Sequence, residues 1–338
     1  ARAEDDASRA RAEDGLRAAL TPPRLGLFRQ FAAAPAGVKS VVDLRADLAR
    51  LVRRHPDWAA MENEVLGLLA SWFDIGLLEL RRMTWEAPAA LLEKLIRYEA
   101  VHAIRSWDDL KNRLDSDRRC YAYFHPRMPD EPLIFVEVAL VKGMADDVQA
   151  LLDEAAPAAD PRQADAAIFY SISNCQRGLA GVGFGEFLIK RVVDDLKRDF
   201  PRLDLFATLS PLPGFRAFAE PLLTEEDRAE LARPEWIAEA APVERLRPRL
   251  MGLAARYLLE AGPEGRARDR VAHFHLTNGA RIERINFLAD RSAHGLAQSY
   301  GVMVNYRYKL DDIAANHEAY RGEGRIGATG AVRALFKG

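Results

Sequence analysis

The stretch SISNCQRGLAGVGFGEFLIKRVVDDLKRDF, residues 171–200, decides the fold. It leaves an apolar segment, passes Gly178, Gly181, Gly183 and Gly185, and enters a charged segment whose apolar residues recur at helical spacing. Glycines between a strand and a helix let the backbone approach a phosphate closely, while the first N–H groups of the helix stabilise its charge. The same glycines also suit a tight strand-to-helix turn that holds no ligand. The spacing here is G-x-G-x-G rather than the G-x-G-x-x-G of a dinucleotide site, and TLSPLPGF stands where an acidic ribose-binding residue is needed. A pyrophosphate cradle of another kind therefore stands beside the ligand-free turn as a reading of this loop.

Outward from the loop the chain changes period. AAIFYSIS (166–173) upstream and LDLFATLS downstream, ending at Ser210 before Pro211, read as strands around a helix over 186–199. Strand, helix and strand in so short a span predict a right-handed parallel crossover. RRCYAYF (118–124) and EPLIFVEVALV (131–141), separated by a Pro/Asp-rich turn, predict a hairpin. Before them, SVVDLRADLARLVRRHPDW, NEVLGLLASWF and APAALLEKLIRYEAVHAI carry apolar residues at i, i+3, i+4 and i+7, so residues 1–100 read as helical throughout. Helices are further predicted over ADDVQALLDEAA, TEEDRAELA and VERLRPRLMGLAARYLLEA, and strands over RVAHFHLTNGARIERINFLA (270–289) and GVMVNYRY (301–308). DEAAPAADPRQADAA (153–167) is low in complexity and reads as a mobile loop. The sum is an α+β chain, with a helical domain over 1–100 and a mixed-sheet domain over 101–338.

With 338 residues, 49% hydrophobic and 29% charged, the chain is able to bury a large core. A formal net charge of -2 gives no field that would gather nucleic acid or an anionic membrane surface, so neither partner is expected. Cys120 and Cys175 are too few for a disulfide scaffold and lack C-x2-C spacing, which predicts a reducing compartment and no structural metal. No apolar run approaches the ~20 residues of a membrane span, and the first twenty residues are charged rather than signal-like. A cytoplasmic location is expected. The chain opens on Ala1 rather than methionine, so further residues upstream are expected as well.

The loop fits a Q/R-x-x-G-x-G/A pattern of the acetyltransferase coenzyme A type, with Gly183 and Gly185 on the small positions and Ala180 in place of Gln or Arg. Arg177, just upstream, is a candidate phosphate partner. AAIFYSISNCQRGLAGVGFGEFLIKRVV, LFATLSPLPGF, AHFHLTNGARIERINFLAD and MVNYRY, in this order and spacing, resemble the malonyl-CoA decarboxylase family. That resemblance covers residues 90–338 closely and the helical part more loosely. It implies a helical N-terminal domain involved in oligomerisation, a catalytic domain of the GCN5-related N-acetyltransferase (GNAT) fold, and a homotetramer. It also implies conversion of malonyl-CoA to acetyl-CoA and carbon dioxide without metal or organic cofactor. By the same resemblance the coenzyme A loop is Ala180, Gly181, Val182, Gly183, Phe184, Gly185 and Glu186. The catalytic pair is Ser210 and His275, and Tyr308 is the active-site tyrosine that meets substrate. Where some members carry Glu inside the loop this chain has Gly183, so that carboxylate contact is missing.

Loss of carbon dioxide from a malonyl thioester leaves an enolate. The site must therefore hold negative charge on the thioester oxygen with fixed donors and then deliver a proton to carbon. A histidine, with an ordinary pKa near ~6.5, suits the second task. Each residue also has a plainer reading: Ser210 before Pro211 as a cap for a helix starting near Gly214, and Tyr308, Asn305 and Arg307 as core, turn and surface residues. His273 and His275 flank Phe274 and would share one face of a strand, which also suits a metal pair, though no third ligand stands nearby. Cys120 beside two arginines reads as a buried thiol. Two other functions share the cradle: an N-acyltransferase using acetyl-CoA, and a scaffold that only senses coenzyme A thioesters.

Overall fold

Helical periodicity over the first eighty residues builds α1 (Asp6–Leu20), α2 (Pro23–Ala33), α3 (Gly37–Leu51) and α4 (Ala59–Trp72). The structure is a computed structural model that describes residues 6–20, 22–182, 188–262 and 265–337. Within it the chain forms two compact units, one of Ala1–Glu79, Tyr123–Leu133 and Asn174–Gly185, the other of Leu80–Ala122, Ile134–Ser173 and Glu186–Gly338.

In the first unit, Val38, Val41, Val42, Arg45 and Leu48 lie on the buried face of α3, the i, i+3, i+4, i+7 set of an amphipathic helix. The segment from Asn174 packs beside that helix. A Cβ on Gly178 would meet the Val42 carbonyl oxygen at 1.8 Å, so only glycine allows this approach. Arg45, buried on α3, donates to the carbonyls of Gly178 (2.8 Å) and Ala180 (2.5 Å) and pairs with Glu62.

Most of the sheet lies in the second unit. Its strands are β1 (Glu79–Met83), β2 (Arg118–His125), β3 (Met128–Val141), β4 (Ala166–Asn174), β5 (Leu205–Thr208), β6 (Ser210–Pro211), β7 (Arg281–Asn286) and β8 (Met303–Arg307). The order is β1-β2-β3-β4-β5-β8-β6, with β7 also paired to β8. β4 and β5 are parallel, in register from Ala166↔Leu205 to Phe169↔Thr208, whereas β5, β6 and β7 each run antiparallel to β8. The helices here are α5 (Ala89–Tyr98), α6 (Trp107–Arg113), α7 (Val148–Leu151), α8 (Leu188–Asp199), α9 (Phe215–Ala219), α10 (Glu225–Leu231), α11 (Ala240–Leu259), α12 (Arg270–Thr277), α13 (Ala293–Ser299), α14 (Ile313–Glu323) and α15 (Gly330–Lys337). Helix α8 joins β4 to β5 and buries Leu188, Ile189, Val192, Val193 and Leu196. A helical region followed by a mixed sheet is the α+β class read from the sequence.

Three expectations change. Residues 1–100 are not helical throughout, because ELRRM forms β1, a five-residue, mostly charged strand at the end of the sheet path. The helix expected over 145–156 shortens to α7, capped by Asp147. Most consequential, RVAHFHLT is a helix and not a strand. Asp269 caps it by accepting from the N–H groups of Val271 (2.8 Å) and Ala272 (2.9 Å). Gly279, at φ +80°, follows its C-cap Asn278, and the buried Ala272, His275 and Leu276 keep helical spacing.

Candidate active site

Four elements of the second unit bring the side chains together. Strand β5 ends at Thr208, and Leu209 N–H still donates to the Phe169 carbonyl of β4. The chain then leaves β5, and Ser210 pairs across β8 with Val304. Helix α12 supplies His275, and β8 with the residue just beyond it supplies Asn305, Tyr306 and Tyr308. Ser210 does not cap the following helix, whose N-cap is Gly214 without a side-chain bond.

Ser210 Oγ lies 3.1 Å from Nε2 of His275, a contact between residues 65 positions apart in sequence. The other ring nitrogen, Nδ1, lies 2.8 Å from Tyr308 Oη. The Ser210 hydroxyl donates to Thr208 Oγ1 at 2.9 Å, and the same oxygen accepts the Tyr306 N–H at 3.1 Å. Behind them, Asn305 Nδ2 donates to the Thr208 carbonyl (2.7 Å) and to that of Ala145 (3.0 Å), while its Oδ1 accepts from Arg284 and Asn286. The Tyr306 ring stacks on His275 with centroids 4.5 Å apart and planes at 25°.

Apart from the half-buried Arg284 and Ala145, all of this is buried. His275 and Tyr308 are each 2% exposed, and Thr208, Asn305 and Tyr306 are fully covered. Burial without a counter-charge pushes His275 down to about 3, so the imidazole is neutral at physiological pH, and it pushes the Tyr306 and Tyr308 phenols well up. A neutral imidazole between two hydroxyls passes a proton in either direction without separating charge in a low dielectric.

His273 does not share a face with His275. On a helix, residues two apart diverge, and His273 Nδ1 instead meets Tyr320 Oη at 2.7 Å. The paired-metal reading therefore loses its geometry, and among the described residues no group of three or more His, Cys, Asp or Glu side chains is placed to hold a metal ion. A cavity of about 620 Å³ in the same unit, lined by Glu99, His102, Arg105, Arg113, Asp290 and His294 among others, does not include Ser210 or His275.

Of the expected coenzyme A loop, Ala180 gives its carbonyl to Arg45, Gly181 has φ +81°, and Val182 is buried. Gly183, Phe184, Gly185 and Glu186 lie outside the described residues. Arg177 opens a short 3-10 helix, Arg177–Leu179. The sequence reading missed Thr208, Tyr306 and the bridging role of Asn305. Thr208 was legible in principle, since it stands two residues before Ser210 where a strand repeats its face.

Fold and site together define an α+β protein whose sheet domain buries a hydrogen-bonded line of Tyr308, His275, Ser210 and Thr208. Residues 1–73 match the model of the malonyl-CoA decarboxylase N-terminal domain and residues 76–338 that of the malonyl-CoA decarboxylase C-terminal domain. The chain is 38% identical to the mitochondrial malonyl-CoA decarboxylase of Anser anser anser, over 95% of this chain and 71% of that one. Crystal structures of malonyl-CoA decarboxylase from Rhodopseudomonas palustris and Agrobacterium vitis superpose with TM-scores of 0.92 and 0.90 at 47% and 44% identity. They cover 97% and 98% of this chain, and each is itself covered to 83%. The chain belongs to the malonyl-CoA decarboxylase family, a family of enzymes. Among the described residues no helix is long and apolar enough to cross a membrane.

Proposed function

We propose that this protein converts malonyl-CoA to acetyl-CoA and carbon dioxide, with Ser210, His275 and Tyr308 as its acid–base machinery and no metal or organic cofactor. The observation that carries the reading is the buried hydrogen-bonded line Tyr308–His275–Ser210, in a chain of this family. The bond between Cα and the carboxylate carbon breaks, its electron pair moves into the thioester, and carbon dioxide leaves. The thioester itself delocalises the charge, so no electron sink is required. Once the thioester is bound, the Ser210 hydroxyl turns from Thr208 and donates to the thioester oxygen as charge develops there. His275 delivers its Nε2 proton to Cα while Tyr308 passes its proton to Nδ1; one solvent proton then returns to Nε2 and the Nδ1 proton goes back to the phenol oxygen, which restores both groups. The sum is malonyl-CoA and a proton giving acetyl-CoA and carbon dioxide.

Residues 180–186 are the proposed coenzyme A loop, begun by backbone that Arg45 fixes. The apolar side chains left exposed on α1 and α2, namely Leu16, Leu20, Leu27 and Phe31, support assembly through the helical unit, and the homotetramer is the form that the family resemblance implies. The distinguishing experiment is incubation of purified protein with malonyl-CoA and no amine. Equimolar acetyl-CoA and carbon dioxide are expected. An acyltransferase needs an amine acceptor and yields no carbon dioxide, and a sensor binds the thioester and leaves it intact.

A further inference from the structure

Thr208 was not among the residues that the sequence marked, yet its side chain terminates the hydrogen-bonded line. A hydroxyl has one proton to give. Ser210 gives its proton to Thr208 Oγ1 (2.9 Å), so at its 3.1 Å contact with His275 the serine oxygen accepts. The donor there is Nε2–H. The imidazole is neutral because it is buried, so it carries a single ring proton. With that proton on Nε2, Nδ1 is bare and accepts from Tyr308 O–H at 2.8 Å. All donors in the line therefore point one way, from Tyr308 through His275 and Ser210 to Thr208. The opposite polarity, with Ser210 donating to Nε2 and Nδ1–H donating to Tyr308, differs only by rotation of hydroxyls and a tautomer change. Thr208 distinguishes the two. It is fully buried, and the Tyr306 N–H (3.1 Å) pins its oxygen in place.

We infer that Thr208 is a positioning residue: by accepting the Ser210 proton it fixes His275 in the Nε2–H tautomer, which presents the proton on the side from which the enolate carbon is protonated. The kinetic consequence rests on the mechanism proposed above, whereas the tautomer does not. Two variants separate the effects. Thr208→Val keeps the shape and removes the acceptor, and Thr208→Ser keeps the acceptor.

The tautomer is read in the unliganded full chain by nitrogen-15 NMR of labelled histidine, with the His275 signals assigned by their loss in His275→Asn. The wild-type ring is expected to be protonated on Nε2 and bare on Nδ1. Thr208→Val is expected to populate the Nδ1–H form and to lower kcat about tenfold or more with KM changed less than about threefold, and Thr208→Ser to restore both. A purely structural role would lower thermal stability without moving the ring proton. A wild-type ring protonated on Nδ1 overturns the inference even if no variant folds, and so does a folded Thr208→Val protein that keeps Nε2–H. An altered tautomer with unchanged kcat leaves the tautomer assignment standing and counts against the proton path instead.

Discussion

Tyr308 Oη meets Nδ1 of His275 at 2.8 Å while Ser210 occupies Nε2, so both edges of one fully buried imidazole are taken by hydroxyls. Removing the phenol oxygen leaves a buried ring nitrogen without a partner, which costs about 1–3 kcal/mol. In Tyr308→Phe we expect that loss by urea unfolding and a fall in kcat of about tenfold to a hundredfold, because the proton leaving Nε2 is no longer replaced at Nδ1. Wild-type kcat in a stable Tyr308→Phe protein counts against the path.

Tyr306 poses the opposite case. Its ring packs on His275, but its buried hydroxyl has no hydrogen-bond partner among the described residues. Tyr306→Phe therefore removes an unsatisfied group and keeps the stack. Stability is expected to hold or to rise by up to about 1 kcal/mol, with kcat within about threefold of wild type. A marked loss of either shows that the hydroxyl has a partner in the working enzyme.

Arg45 ties α3 to the Gly178 and Ala180 carbonyls and to Glu62 from a position 6% exposed. Arg45→Leu leaves a carboxylate and two carbonyls without their donor, and a cost of about 3 kcal/mol is expected by chemical unfolding. Acetyl-CoA affinity, by titration calorimetry, is expected to fall as well. Affinity unchanged in the folded variant separates Arg45 from the proposed coenzyme A loop.

The pH dependence has a definite sign. His275 is pushed down to about 3 and His102 down to about 4, both chiefly by burial. Unfolded, each binds its proton near pH ~6.5, so between that value and the folded one the unfolded chain holds more protons. Stability is full above pH ~6.5 and is lost as the pH falls, by about 1.4 kcal/mol per pH unit for each histidine. Glu137 is pushed up to about 8 by burial, in spite of the Arg113 guanidinium at 2.9 Å, and it acts in the opposite sense above its unfolded value. The His275 share is therefore the difference between wild type and His275→Asn. Unfolding free energies measured from pH 7 to pH 5 should fall less steeply in the variant, and parallel curves contradict the neutral assignment.

Strongly periodic segments were legible: β3, β4, α8 and α11 show their buried faces as runs or as spacing. The misreadings have local causes. In AHFHL, histidine and phenylalanine alternate like a strand, and the capping Asp269 and the Asn278-Gly279 stop lie outside that window, where they outweigh it. β1 is short and charged, so neither period shows in it. Ser210 and His275 carried meaning by resemblance, because a contact spanning 65 residues has no local signal. Thr208 had only its two-residue spacing from Ser210 as a signal, and Tyr306, which acts through one ring face, has nothing in its residue type to separate it from ordinary core.

The central claim is that His275 and Ser210 act as one proton-delivering unit, and steady-state turnover of malonyl-CoA tests it most directly when thioester binding is measured alongside. His275→Asn and Ser210→Ala are each expected to lower kcat by about 10²–10⁴ with small changes in binding. The double variant is expected to be little worse than the poorer single one, because the two side chains share one contact. His273→Asn, whose ring bonds Tyr320 instead, is expected to cost far less. Near-normal turnover in folded His275→Asn, or a larger loss from His273→Asn, contradicts the account.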